Sequence, residues 1–178
     1  MRVHIVGASG SGTTTLGRAL ATQLGCPHVD TDDFFWRPSE PKFQHIRERG
    51  ERQALLGAVL DRHPGWVLSG SLCGWGDVFI PRFELVVFLW LPPEIRLTRL
   101  RARERERYGE AIAPGGALHA RYEAFIAWAA GYDAGLDVPE RCRRLHVEWL
   151  ATLPCPVVRF TDAVSTEEHV AMIMGGTR

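Results

Sequence analysis

The stretch Gly7-Ala8-Ser9-Gly10-Ser11-Gly12-Thr13-Thr14 decides how this chain is read. It is entered from the apolar run Val3 to Val6 and leaves into Leu16-Gly17-Arg18-Ala19-Leu20, so strand, glycine turn and helix follow in sequence. In a phosphate-binding loop, small residues let backbone N–H groups turn toward phosphate oxygens, and the next helix N-terminus adds its positive dipole end. Gly7, Gly10 and Gly12 fit the spacing Gly-x-x-x-x-Gly-Lys-Ser/Thr, with Ala8, Ser9 and Ser11 as the small residues between them. Thr14 falls where a hydroxyl would ligate Mg²⁺, and Thr15 closes the candidate nucleotide-binding set. Thr13 takes the lysine position and offers a hydroxyl without a charge. The cradle is present and its cation is missing.

A dinucleotide-binding turn competes for the same glycines, because Gly10-x-Gly12-x-x-Thr15 half matches its fingerprint and Asp30 and Asp32 lie at about the spacing of a ribose-binding acid. Its third glycine is absent. Lys42 is the only lysine, so no Tyr-x-x-x-Lys pair exists for hydride chemistry.

Outward from the loop, 178 residues suit one domain spanning residues 1–178, with a core that needs neither metal nor disulfide support. Twenty-one basic residues balance 21 acidic ones, so no global field draws the chain to nucleic acid or to an anionic membrane, and small partners are expected. Cys26, Cys73, Cys142 and Cys155 lack Cys-x-x-Cys spacing and suit reduced packing thiols. With no signal-like succession at the start and no apolar stretch of spanning length, the expected address is the cytoplasm. Arginine replaces lysine almost throughout, so only the placement of an arginine carries information.

Apolar periodicity predicts strands at Val3 to Val6, Cys26 to Asp30, Trp66 to Leu68, Phe83 to Leu91 and Pro156 to Phe160. Helices are expected over Thr14 to Leu24, Glu51 to Leu60, Pro93 to Arg107, Leu118 to Ala129, Cys142 to Leu153 and Thr166 to Met174. The alternation predicts a five-stranded parallel sheet with helices on both faces, a three-layer α/β fold. The continuous apolar run at 83–91 marks a central strand covered on both sides. Ligands of such a sheet gather beyond the carboxyl ends of its strands, where Gly7 to Thr14, Asp30-Thr31-Asp32-Asp33 and Ser69-Gly70-Ser71 should share one crevice.

Asp32 is the first candidate for catalytic base. Strand periodicity would aim Asp30 and Asp32 alike and turn Asp33 elsewhere; a solvated turn capping a helix is the alternative for the cluster. Phe34, Phe35 and Trp36 could wall an acceptor or belong to the core. Arg96, Arg99, Arg103 and Arg107 recur on one helical face, either as an exposed face held by ion pairs or as cations aimed at phosphate. This helix runs into the glycine-bearing loop at 109–116, and the region of about 99–135 resembles a closing lid. A positioned arginine accelerates phosphoryl transfer by about 10³ to 10⁵. The seven histidines show no metal-ligand pairing.

Together, Gly7 to Thr14, Asp30 to Asp33 and Arg99 to Arg107 make the chain resemble P-loop small-molecule kinases of the adenylate kinase and shikimate kinase type. The resemblance implies a P-loop NTPase-type fold with a helical lid, ATP and Mg²⁺ at the loop with Thr14 on the metal, and an acceptor beside the second strand. It assigns catalysis to Asp32, Arg99 and Arg103, and acceptor contacts to Asp30, Asp33, Trp36, Arg47 and Arg52. Ser69-Gly70-Ser71-Leu72 stands where nucleoside monophosphate kinases carry an Asp-Gly-Phe-Pro-Arg-like segment, which argues against adenylate kinase activity proper. The expected function is ATP-dependent phosphoryl transfer to a small-molecule or nucleotide acceptor; the alternative is a noncatalytic nucleotide-binding protein. Lys42, in a Pro-flanked loop, is either solvated or a second candidate for the charge that Thr13 lacks.

Overall fold

The computed structural model describes residues 1–134 and 141–176. Five parallel strands form one sheet: β1 (Arg2–Gly7), β2 (His28–Asp30), β3 (Trp66–Ser69), β4 (Leu85–Leu89) and β5 (Val157–Phe160), in the order β2-β3-β1-β4-β5. The β1, β3 and β4 sequences are apolar on both faces, as buried parallel strands require. Alternation along them sorts side chains to two layers. Val6, Trp66, Leu68, Val86 and Phe88 pack with Leu56 and Leu60 of α3 (Arg49–Leu60) and Leu150 of α6 (Arg143–Ala151). Val3, Ile5, Val67, Leu85 and Val87 pack with Leu16 and Leu20 of α1 (Thr13–Leu24) and Ile173 of α7 (Thr166–Gly176).

A third cluster joins α4 (Pro93–Tyr108) to α5 (His119–Ala130) through Leu100, Ile126 and Ala129. Pro93 occupies the first turn of α4, where its missing N–H costs nothing. Between these helices lies a 3-10 turn, Gly109–Ile112.

Three departures from the expectation bear on the site. β2 begins at His28, two residues late, because Pro27 has no N–H to give and joins the ladder only as an acceptor from the Val67 amide at 3.0 Å. β4 begins at Leu85 because residues 77–82 form an unforeseen 3-10 helix that Phe83 closes. After β2 the chain turns at once into a short helix, α2 (Asp32–Phe35), so strand periodicity does not govern the aspartates. The ladder aligns Asp30 with Ser69 and Gly7 with Leu89, which brings the ends of four strands to one edge.

Candidate functional site

The loop between β1 and α1 is closed by the Ser11 amide on the Ala8 carbonyl at 3.1 Å, and α1 starts with the Leu16 amide on Gly12 at 2.9 Å. Gly10 (φ +82°) and Gly12 (φ +100°) lie in the left-handed region that L side chains avoid. A Cβ on Gly10 would also stand 2.6 Å from the Arg96 carbonyl, so the loop is pressed against the first turns of α4. The Ser11 hydroxyl is buried and has no hydrogen-bond partner among the described residues. Glycine geometry, the free amides of the first turn of α1 and this hydroxyl form an anion-receptive concavity.

Thr14 donates its hydroxyl to Asp30 Oδ2 at 2.9 Å, while Asp30 Oδ1 accepts the Asp32 amide at 3.0 Å. Behind them His28 Nε2 and Ser69 Oγ pair at 2.8 Å. Asp32 and Asp33 start α2 beside this array. Burial within the cleft, then the negative charge of Asp30, pushes the Asp32 carboxyl above the usual carboxylate range; Arg141 and Arg103 pull it back in part. Asp33 is raised by the same two causes.

Two cavities open at this edge. One, about 610 Å³, is lined by residues 10–16 of the loop, by Asp30, Asp32 and Asp33, and by Arg18, Arg99, Arg103 and Arg107. The other, about 510 Å³, is walled by aromatic residues of the segment after α2 and of α5, with Asp32, Cys73, Arg103, Arg107, Arg121 and Arg141 among them. They meet at Asp32, Phe43, Arg103 and Arg107, which line both.

The arginines of α4 divide into two kinds. Arg96 is fully buried, donates to the carbonyls of Leu91 (3.0 Å), Ser9 (3.4 Å) and Ala129 (3.5 Å), and pairs with Asp133. It clamps loop, strand end and α5 and does not line either cavity. Arg99 lines the loop cavity, and its Nη1 stands 3.9 Å from where a Gly12 Cβ would lie. Arg103 and Arg107 share the Glu104 carboxylate at 2.9 and 3.3 Å. Arg107 also lies over the Phe43 ring at 5.2 Å.

Of the acceptor residues expected from sequence, Asp30 and Asp33 line the loop cavity and Trp36 the aromatic one. Asp33 is therefore not turned away, since a helical turn and not an extended strand carries it. Arg47 and Arg52 line neither cavity. Arg47 donates to the Phe34 and Trp36 carbonyls and to Glu51; Arg52 donates to the Arg47 carbonyl and lies 4.3 Å over the Phe35 ring. Their guanidiniums hold the segment after α2 in place. Thr13 opens α1, Thr15 is exposed at the cavity rim, and Lys42 is exposed outside both cavities. The last residue of the expected lid, Gly135, lies outside the described residues. Sequence reasoning missed Arg121 and Arg141. Arg121 sits one residue before the aromatic face of α5, a signal that was available; Arg141 had none.

A family model described as an AAA domain matches residues 3–114. The chain belongs to the AAA domain family. It is 46% identical over 173 residues to the uncharacterized protein YqaC of Bacillus subtilis, covering 97% of this chain and 94% of that one. It is 31% identical over 182 residues to a shikimate kinase of Thermosynechococcus vestitus, covering 86% and 90% of the two chains. A cytidylate kinase of Archaeoglobus fulgidus is 29% identical over 115 residues, 58% of this chain and 62% of that protein. Among solved structures, the shikimate kinase from Acinetobacter baumannii in complex with shikimate superposes with a TM-score of 0.57 at 19% identity, covering 99% of this chain and 92% of that one. This family member has the P-loop small-molecule kinase fold, and its sequence relatives include nucleotide and shikimate kinases.

Proposed function

We propose that the chain transfers the γ-phosphoryl group of ATP to a small-molecule acceptor, with Arg99 in place of the lysine that position 13 lacks. The observation that carries this reading is the meeting of the two cavities at Asp32, Phe43, Arg103 and Arg107. A polyphosphate on the loop would end where an acceptor in the aromatic cavity begins, and phosphoryl transfer demands that juxtaposition.

In this reading the backbone of Gly7 to Thr15 and the unpartnered Ser11 hydroxyl hold phosphate oxygens. Thr14 and Asp30 present adjacent hard oxygens suited to Mg²⁺, which when bound spreads the charge of the phosphate tail. Arg99, beside Gly12, supplies the charge that the loop itself does not. Arg103 stabilises charge on the transferring group from the junction. Asp32 takes the acceptor's proton. Burial and the neighbouring Asp30 raise its pKa, which strengthens it as a base.

Thr13 itself favours a second reading, a nucleotide-binding protein without turnover. Loss of one charge-assisted contact weakens binding by about 10- to 150-fold when nothing replaces it. Transfer of ³²P from γ-labelled ATP across a metabolite panel, run beside Mg-ATP calorimetry, separates the two. Binding with transfer supports the kinase; binding with only background turnover supports the second reading. A Thr13→Lys variant that binds ATP more tightly and gains no turnover also supports the second reading. Lys42→Ala is expected to leave affinity and rate unchanged, since Lys42 stands outside both cavities.

A further inference from the structure

The aromatic cavity is unlike the polar one beside it. Trp36 and Phe43 stand edge to face at 5.9 Å on the segment after α2, and Phe125 and Trp128 stack at 6.0 Å on α5; all four line it. Arg121 ties these elements together by donating to the Lys42 and Phe43 carbonyls at 2.7 and 2.5 Å. The charged lining is four arginines against two carboxylates, Asp32 and Glu104, and Glu104 is already shared by Arg103 and Arg107. Arg141 lies 5.6 Å over the Trp128 ring, on the same cavity as Asp32, whose carboxyl it favours in the charged form. Aromatic faces favour a flat unsaturated ligand, and surplus guanidinium favours a negative one. The cavity volume of about 510 Å³ suits a molecule the size of a substituted ring system or a nucleotide.

At the mouth toward the loop stands Asp32. Asp32 lines both cavities at that junction, within reach of a group passed between them. A hydroxyl acceptor needs somewhere for its proton to go. We infer that the acceptor is an anionic aromatic compound phosphorylated on a hydroxyl group, its ring packed against Trp36, Phe43, Phe125 and Trp128 and its anion held by the cavity arginines with Arg141 foremost. This rests on the phosphotransferase reading and names its substrate class. The hydroxyl oxygen forms a bond to the γ-phosphorus as the bond from that phosphorus to the β,γ-bridging oxygen breaks. ADP leaves with that electron pair, and the hydroxyl proton passes to Asp32 and on to water.

The test uses the whole chain and its intrinsic tryptophan fluorescence, to which Trp36 and Trp128 of the cavity contribute among six tryptophans. Probes are 4-(hydroxymethyl)benzoate and adenosine 3′-monophosphate as aromatic anions carrying hydroxyls, benzyl alcohol as a neutral ring, quinate as an anion without an aromatic ring, and CMP as a phosphate acceptor. At least one aromatic anion is expected to bind about tenfold more tightly than benzyl alcohol and quinate, and which one binds separates a simple aromatic acid from a nucleotide source. Phe125→Ala should weaken that binding about 5- to 10-fold and Phe125→Tyr should restore it. Arg141→Gln should weaken it about tenfold and flatten its salt dependence. With Mg-ATP, ³¹P NMR should show a phosphomonoester on the bound probe.

Quinate binding as tightly as the aromatic anions, a phosphoanhydride product from CMP or adenosine 3′-monophosphate, or a bound aromatic hydroxyl that gains no phosphate would each overturn the inference. Absence of Mg-ATP binding in calorimetry would instead fail the parent reading. Ring and charge preference, measured without nucleotide, are read independently of that result.

Discussion

The two cavities at the carboxyl edge of the sheet are built by opposite means. The one at the glycine loop is floored by a contiguous segment, residues 10–16, with one short carboxylate cluster and a row of arginines around it. The aromatic one is made of side chains drawn from residues 9 to 141, with no local segment supplying more than a part. The first depends on glycine φ angles and amide directions, the second on packing between elements distant in sequence. A motif can encode the first kind of site and only the folded chain assembles the second.

The largest effect expected is on the first cavity. Arg99→Ala should lower kcat/KM by about 10³-fold with unfolding temperature unchanged, because the side chain stands beside Gly12 and holds no ion pair among the described residues. A loss below tenfold would mean that the loop works without Arg99 and would break the contrast between a backbone cradle and its borrowed charge. Next comes Arg96→Met, which leaves Asp133 without its buried partner and three carbonyls without a donor. A stability loss of about 3 kcal/mol is expected in urea titration, because removing one partner strands the other. Since Arg96 touches both cavities' supports, that variant should weaken ATP and acceptor binding together.

Asp32→Asn sharpens the line between them. It should cut turnover by about 10²-fold while ATP affinity changes by less than about threefold. The wild-type rate should fall on the acid side through a pKa above the ordinary carboxylate range, since burial and Asp30 both disfavour its charge. A stopped-flow pH profile with its acid limb in the ordinary carboxylate range would remove Asp32 from the role.

The smallest effect concerns the core behind both cavities. Burial pushes His4 down to about 4 and His146 down to about 3, from 6.5, so each is neutral when folded and gains a proton when unfolded. The unfolded state therefore binds more protons as pH drops, and stability falls from about pH 6.5 downward, on the order of 1 kcal/mol per pH unit for each histidine. Asp32 and Asp33, with raised pKa values, act in the opposite sense as they take up protons in the folded state. Melting temperature should drop between pH 6.5 and pH 5, with a shallower slope for His146→Phe; an unchanged slope would contradict the assignment.

How much was legible follows the same division. The order of strands and helices could be read because β1, β3 and β4 are buried on both faces and α1 and α3 carry clear apolar stripes. Gly7 to Thr14 could be read because its geometry is written in consecutive glycines. Asp33 was misaimed because one hydrogen bond, from the Asp32 amide to Asp30, starts a helical turn where a strand was expected to continue. Arg96 looked like a member of the cationic face because helical spacing cannot tell a guanidinium buried against three carbonyls from one aimed into a cleft. Arg47 and Arg52 misled for the same reason. Trp128 packs beside the cluster that joins α4 to α5 and also lines the aromatic cavity, a placement that depends on the fold of α5 against α4.

The Arg96 clamp has a consequence for how the molecule can respond to its ligands. One guanidinium gathers the carbonyl of Ser9 in the glycine turn, that of Leu91 at the strand exit and that of Ala129 near the end of α5. The three anchor points share a single rigid plane of nitrogens, so shifting any one of them strains the hydrogen bonds of the other two. Were both cavities filled as proposed, a shift of the glycine turn would reach α5, which walls the aromatic cavity, through this one side chain.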